Sequence, residues 1–191
     1  EAYSCWGDDV WLRLEGMYGV AIWDRREREL TLARDPLGIK PLFLTEQLGG
    51  IAFASEIKAL TGLVEHRFDV DVCALHDFFR FGPVLRPRSF FRQVRSLDPA
   101  HVLRIGARGE AKLTRFWRPR LAIRSGLSEM EWIEETRAQL LATVRSHMLA
   151  DVPVGSLLSG GVDSGAVTAA MARAGRKRIK CFTISHPQSK I

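Results

Sequence analysis

One stretch limits the folds open to this chain: Ser156-Leu157-Leu158-Ser159-Gly160-Gly161-Val162-Asp163-Ser164-Gly165. It follows on an apolar run, Val152 to Leu158 interrupted by Pro153 and Gly155, that predicts a short buried strand. Two adjacent glycines then break the run. Behind them Ser164 to Ala174 is small and alanine-rich, a helix stopped by Gly175. Strand, glycine turn and helix together aim backbone N–H groups and the positive end of a helix dipole at an anion. Gly160 and Gly161 place no side chain between that backbone and a phosphate, while Ser159 and Ser164 add hydroxyl donors. Asp163 does not attract phosphate by itself. A carboxylate there fits a ligand for Mg2+ carried by the phosphates, or a cap on the loop's own N–H groups.

Two commoner phosphate loops are excluded. A Walker loop needs Lys after its last glycine, and Asp163-Ser164 stands downstream instead. The dinucleotide fingerprint needs G-x-G-x-x-G, which adjacent glycines break. What remains, S-G-G-x-D-S after a strand, resembles the pyrophosphate loop of the ATP-pyrophosphatase (PP-loop) family. That resemblance implies cleavage of ATP between its α and β phosphates, adenylation of a carbonyl oxygen and release of pyrophosphate. The structural alternative is an ordinary glycine-rich turn of an α/β domain. The match in residue type and in strand–helix context weighs against it.

The first 60 residues read as β-rich. Gly19–Trp23 and Leu30–Arg34 form a hairpin around a charged turn, and Asp35-Pro36-Leu37-Gly38 has turn composition. Lys40–Leu44 and Ile51–Ala54 pair around Gln47 to Gly50, and Ser55 caps a short helix running to Leu60. Three segments here, Leu14 to Asp24, Arg34 to Leu42 and Phe53 to Leu60, resemble the second half of a class II glutamine amidotransferase domain. Followed by S-G-G-V-D-S, they are similar to glutamine-hydrolysing asparagine synthetases of the bacterial B type. The implied fold is α+β followed by α/β. A partial class II amidotransferase, an Ntn-type αββα sandwich of two antiparallel sheets between helix layers, joins the start of a parallel-sheet PP-loop domain of the adenine nucleotide α hydrolase-like kind.

The resemblance assigns residues 1–117 to the C-terminal half of the amidotransferase domain, 118–127 to a linker and 128–191 to the N-terminal part of the synthetase domain. In that family the glutaminase nucleophile is an N-terminal cysteine whose free amine acts as base. Here residue 1 is Glu, and Cys5 is not terminal and sits after the family's nucleophile and glutamine-holding segments rather than before them, so Cys5 reads as a packing or surface residue. No catalytic residue of the glutaminase half is expected in this stretch, which reads as an internal fragment, inactive alone. Arg34 and Asp35 lie where the family packs its domains and routes ammonia. An ion pair bracing the Pro-x-Gly turn is the structural reading, and the residue types favour it. At the turn before His101 the family's usual Pro-Gly is replaced by Pro99-Ala100.

His101–Ile105 and Leu113–Trp117 read as a second long hairpin, and Arg118 to Gly126 as the domain boundary. Ser128 and Glu131 make a capping box. The helix behind it carries Ile133, Leu140, Leu141, Val144 and Met148 as an apolar stripe to cover a sheet. Ile179–Ser185 is a second strand, parallel to the first. By resemblance, Leu157 and Ile184 contact adenosine, or else pack in the core. Ser159, Gly160, Gly161, Asp163 and Ser164 hold pyrophosphate, with Asp163 reaching the Mg2+. His66, His76, His101, His147 and His186 show no ligand spacing and read as structural.

The implied activity is a carbon–nitrogen ligase that makes asparagine from aspartate and glutamine through a β-aspartyl-AMP intermediate, with ATP and Mg2+. Its partners are these small molecules, and a homodimer is one assembly open to the full-length parent. A sibling amidating another carboxylate (in cell-surface polysaccharide or peptide modification, or β-lactam closure) and a non-catalytic scaffold are the alternatives. A formal charge of +6 raises nucleic acid as a partner, but no basic face interleaved with aromatics supports it. No apolar run reaches membrane-spanning length. Cys5, Cys73 and Cys181 are odd in number and far apart, which argues for a reducing compartment, the cytoplasm, and against disulfides.

Overall fold

The computed structural model describes residues 1–47, 49–63, 67–175 and 178–184. Contacts divide the chain into two units, Glu1–Arg120 and Leu121–Ile191. The turn expected at Gln47 to Gly50 includes Leu48, and the last expected strand includes Ser185. Both residues, with His66 and His186, lie outside the described residues.

The first unit opens with two short helices, α1 (Ala2–Trp6) and α2 (Val10–Arg13). Its strands are β1 (Gly19–Asp24), β2 (Glu29–Arg34), β3 (Phe43–Gln47), β4 (Gly50–Ala54), β5 (Val94–Ser96), β6 (His101–Ile105) and β7 (Ala111–Arg115). One antiparallel sheet runs β1-β2-β6-β7 and another β4-β3-β5. The period-2 alternation of β2 and β6 sends Leu32 and Leu103 to one face, Ala33 and Val102 to the other.

Three apolar clusters follow from that alternation. Leu32 and Leu103 of the first sheet meet Leu44 of the second, with Leu42 and Leu97, in the sandwich interior. Behind the first sheet, Ala33 and Val102 pack on Val10 and Trp11 of α2. Behind the second, Leu60 of α3 (Ile57–Thr61) packs with Phe68, Val94 and Phe43. The layers are therefore helix, sheet, sheet, helix, as expected. A further helix, α4 (Val72–Phe81), is capped by Asp71, whose Oδ1 accepts from the N–H of Cys73 and Ala74.

Three local expectations are corrected. β3 starts at Phe43, not Lys40. The N–H groups of Ile39 and Lys40 are taken by the Asp35 carboxylate, and Lys40 O accepts from Arg34 Nε, so this backbone is diverted from the ladder. The cap of α3 is Glu56 rather than Ser55, with no side-chain hydrogen bond. β7 spans Ala111–Arg115 and ends two residues early, because Phe116 joins the cluster behind the first sheet.

Between β7 and α5 (Glu129–His147) the backbone forms neither helix nor strand. The second unit holds α5, β8 (Gly155–Leu157), α6 (Val162–Ala174) and β9 (Lys180–Phe182). The capping box on α5 is present in full: Ser128 Oγ accepts from Glu131 N–H, and Glu131 Oε2 accepts from Ser128 N–H at 2.7 Å. The α5 stripe does not cover a sheet. Val144, with Leu140, Leu141 and Met148, packs on Ala170 and Met171 of α6, beside Val154 and Ile179. Strands of three residues offer little surface, whereas the small residues of α6 admit a close helix neighbour.

Candidate functional site

β8 and β9 pair in parallel, with Gly155 opposite Lys180, Ser156 opposite Cys181 and Leu157 opposite Phe182. Gly155 fits a close approach there: an ideal Cβ would lie 3.0 Å from Lys180 O and 3.0 Å from the Phe182 ring. One further bond, Leu158 N–H to Phe182 O at 2.9 Å, extends the ladder to the mouth of the glycine turn. Thr183 Oγ1 donates to Leu158 O at 2.8 Å and pins the same point from the other strand.

The turn follows at once. Gly160 sits at φ +84, in the left-handed region, and no atom lies within 4 Å of where its Cβ would be. Gly161 is the N-cap of α6 and supplies no side-chain cap. The first helical bond runs from Gly165 N–H to Gly161 O, so the N–H groups of Val162, Asp163 and Ser164 have no carbonyl partner within the helix. Ser159 Oγ and Ser164 Oγ lie 3.0 Å apart across the turn, and Ser164 Oγ donates to Gly161 O at 3.0 Å. Open space at Gly160, first-turn N–H groups without helix partners and the positive end of a helix dipole together suit an anion such as a phosphate.

The helix begins at Val162, two residues before the expected Ser164, which places Asp163 in its first turn. Asp163 is exposed, and its carboxylate makes no hydrogen bond to the loop's N–H groups among the described residues. Of its two expected roles, the cap is therefore not the one adopted. Among the described residues no group of three or more His, Cys, Asp or Glu side chains could hold a metal. Asp163 alone on the protein side, together with phosphate oxygens, is the donor set this loop offers a divalent cation.

The strand itself is not buried as expected: only Ser156 is inaccessible. Leu157 is 79% exposed and Ile184 96% exposed, so neither packs in a core. A pair of three-residue strands leaves a face of each strand uncovered. Residue reading missed three supports of the loop. Ser156 Oγ lies 2.7 Å from Thr168 Oγ1, Thr168 Oγ1 donates to Ser164 O, and Thr183 ties the strands as above. The only signal was their hydroxyls, twelve residues apart between Ser156 and Thr168 on elements whose packing the sequence leaves open.

Arg34 and Asp35, the other candidate pair, are buried at 6% and 1% exposure in the first unit. They do not form the expected ion pair. Arg34 donates to Lys40 O, Ser96 Oγ, Leu97 O and Gly38 O. Asp35 accepts from the N–H groups of Leu37, Ile39 and Lys40. Each braces the turn through its backbone, because a buried charge is held best by several hydrogen bonds. Burial first and the Arg86 guanidinium second push Arg34 below the usual arginine range, against Asp35 and Asp98. Burial, then Asp35, pushes the Tyr18 phenol up to about 12. His101 Nδ1 lies 2.8 Å from Pro99 O and His147 Nδ1 2.9 Å from Thr143 O, both structural contacts as expected. Cys5, Cys73 and Cys181 are exposed and free. No helix among the described residues is long and apolar enough to cross a membrane.

The four-layer sandwich of the first unit and the strand–glycine turn–helix segment of the second each fall within the match of a family model. The chain belongs to the glutamine amidotransferase domain family, whose model matches residues 1–117. The asparagine synthase family model matches residues 135–190. A putative glutamine-hydrolysing asparagine synthetase of Mycobacterium tuberculosis is 41% identical over 187 residues, covering 95% of this chain and 28% of that protein. Asparagine synthetase 3 of Bacillus subtilis is 30% identical over 193 residues, covering 98% of this chain and 31% of its own. The chain thus spans less than a third of the length of these relatives. A solved glutamine phosphoribosylpyrophosphate amidotransferase from B. subtilis overlays 92% of this chain on 34% of its own, at 19% identity and a TM-score of 0.35, too loose an overlay to bear on the fold.

Proposed function

We propose that this chain is part of an ATP-dependent, glutamine-using amidotransferase that converts aspartate to asparagine through β-aspartyl-AMP. The reading is carried by one observation: an amidotransferase-family sandwich and an open S-G-G-V-D-S cradle stand in a single chain. In this proposal residues 1–117 belong to the amidotransferase domain, 118–127 to a linker and 128–191 to the synthetase domain. Cytoplasm is the proposed location.

The roles follow from the loop's own geometry. The Ser159 and Ser164 hydroxyls, bonded to each other and in Ser164 also to Gly161 O, turn to the departing pyrophosphate of ATP, and the first-turn N–H groups of α6 bind it. The placement of those N–H groups before reaction lets them stabilise charge as it grows on that group, with little reorganisation. Gly160 and Gly161 permit the close approach, and the exposed Leu157 and Ile184 provide an apolar seat for adenosine. Asp163 orients the cation that accompanies the phosphates. When bound, Mg2+ supplies charge neutralisation. Aspartate, glutamine and ATP are the proposed substrates. Arg34 and Asp35 hold the turn that the family places between its two sites.

Pyrophosphate and AMP release from Mg-ATP and glutamine, followed across a panel of carboxylate acceptors with the full-length gene product, tests the reading. Release that requires aspartate and yields asparagine is expected. Release of ADP and inorganic phosphate in place of AMP and pyrophosphate overturns the adenylation step. A second reading is amidation of a different carboxylate, since residues 1–191 leave the acceptor unspecified. It predicts the same products with an acceptor other than aspartate. A folded protein that turns over no acceptor at all favours a scaffold.

A further inference from the structure

A cavity of about 420 Å3 in the first unit is walled by three arginines, Arg34, Arg86 and Arg88, and by the rings of Phe43, Phe78 and Phe90, with no carboxylate in its lining. The three guanidinium groups are not equivalent. Arg88 is neutralised, its Nη1 lying 3.1 Å from Oδ2 of the buried Asp77. Arg34 is 6% exposed, and four of its five N–H groups are spent on Lys40 O, Ser96 Oγ, Leu97 O and Gly38 O. One Nη2 N–H is left without a partner among the described residues.

Arg86 makes neither a hydrogen bond nor an ion pair among the described residues. Its guanidinium is packed over Gly38, where an ideal Cβ would lie 2.8 Å from Nη1. Arg34 Nη2 donates to Gly38 O at 2.8 Å. Two positive groups therefore converge on one glycine at the cavity wall, and Arg86 is near enough to oppose the charge on Arg34. Like charges beside a low-dielectric wall repel, and an anion between them removes that cost. The nearby acids do not fill the role. Asp35 is committed to three backbone N–H groups, Asp77 to Arg88, and Asp98 acts on Arg34 from outside the lining. Ser89 and Ser96 also line the wall, their hydroxyls donating to Phe91 O and Leu97 O, and the other side chains there are apolar. Phe78 and Phe90 stand edge to face at 5.5 Å and are 43% and 37% exposed, an aromatic lip open to an incoming group.

We propose that this cavity is a binding site for a carboxylate carried on an aromatic or branched apolar body, the carboxylate taken by Arg86 and the spare Arg34 N–H, the body by Phe78 and Phe90. The planar fork of Arg86 suits a carboxylate, and the rings reward an apolar body over a bare anion. The cavity belongs to the first unit and the glycine turn to the second, and what is proposed for it is binding, not chemistry.

Titration of 4-fluorophenylacetate into the full-length gene product, followed by fluorine NMR in saturating aspartate and glutamine, tests this. Saturable binding in the millimolar range is expected. It weakens at least about 10-fold in Arg86→Gln, and 4-fluorobenzyl alcohol, the uncharged analogue, binds as weakly. Absence of saturable binding overturns the proposal, as does an unchanged affinity in Arg86→Gln. Should that variant fail to fold, Phe90→Ala reads the apolar half: weakened binding supports the site, and unchanged binding overturns it. The titration does not depend on turnover, so its outcome is separate from that of the amidotransferase reading.

Discussion

Ser159 Oγ lies 3.0 Å from Ser164 Oγ across the Gly160–Gly161 turn, and Ser164 Oγ is also 3.0 Å from Gly161 O. The two hydroxyls thus close the loop on itself from opposite ends. The Ser164–Gly161 contact lies within the start of α6, whereas the Ser159–Ser164 contact ties the helix to the strand side. Ser156 with Thr168 opposes a shift of α6 relative to β8 at 2.7 Å. The cradle is held by side chains and opened by glycines.

Asp163 stands outside this internal network, exposed and free of hydrogen bonds to the loop's N–H groups. Asp163→Ala is expected to leave the melting temperature within error and to slow pyrophosphate release from Mg-ATP by about 100-fold or more, the scale of losing one preorganised electrostatic group. Intact ATP turnover in a folded Asp163→Ala protein would falsify the assignment of the loop.

Ala100 occupies a position with φ +59 while 1% exposed, its N–H donating to Asp35 O and its carbonyl accepting from Phe116 N–H. An L side chain in this region costs roughly 1–2 kcal/mol, and glycine carries no such cost. Ala100→Gly is expected to stabilise the fold by up to about 1 kcal/mol, after the extra freedom glycine gives the unfolded chain. Urea unfolding gives the number. A loss of stability would mean that the Ala100 methyl contributes more by packing than its backbone loses by strain.

Thr45 Oγ1 is the buried side-chain polar atom without a partner among the described residues, in a residue 1% exposed. Valine keeps the shape and removes the unpaired hydroxyl. Thr45→Val is expected to raise stability by about 1 kcal/mol, because an orphaned buried group costs its desolvation. A decrease in the urea midpoint at unchanged slope would show that the hydroxyl has a partner.

Tyr18 is the residue to follow at alkaline pH. Its phenol is pushed up to about 12 from an ordinary 10, by burial first and by Asp35 second. The folded state prefers the neutral phenol, so the stability linked to it is present below pH 10 and is lost as pH rises towards 12. Absorbance at 295 nm, differenced against Tyr18→Phe, should show ionisation well above 10. Tyr18→Phe should also lose less stability than the parent between pH 9 and 11. A differenced midpoint near 10 would mean an open phenol.

Much of the fold was legible because it is local. The Asp24 turn closes the β1–β2 hairpin, its carboxylate accepting from the N–H groups of Arg26 and Glu27 within three residues. The Ser128–Glu131 box needs no partner beyond its own turn. Element boundaries departed from expectation where side chains of a neighbouring turn claimed the backbone, or where a cap shifted by one residue. The Lys40 N–H and carbonyl belong to Asp35 and Arg34, which moved the start of β3 to Phe43. Ser55 has the right residue type for a cap, but the helix begins after Glu56.

The sequence by itself determined the order of layers and the strand–glycine turn–helix order around Gly160 and Gly161, because alternation, glycine pairs and capping residues act over a few bonds. It also limited Asp163 to two roles. Only the tertiary structure removed one of them, the cap, by leaving the carboxylate in solvent at the first turn of α6. It likewise separated Arg34 from Asp35, giving one the carbonyls around Gly38 and the other the N–H groups of Leu37, Ile39 and Lys40. Adjacent opposite charges look like a pair on paper. In a buried turn, directional bonds to fixed backbone groups satisfy more donors and acceptors than one ion pair does.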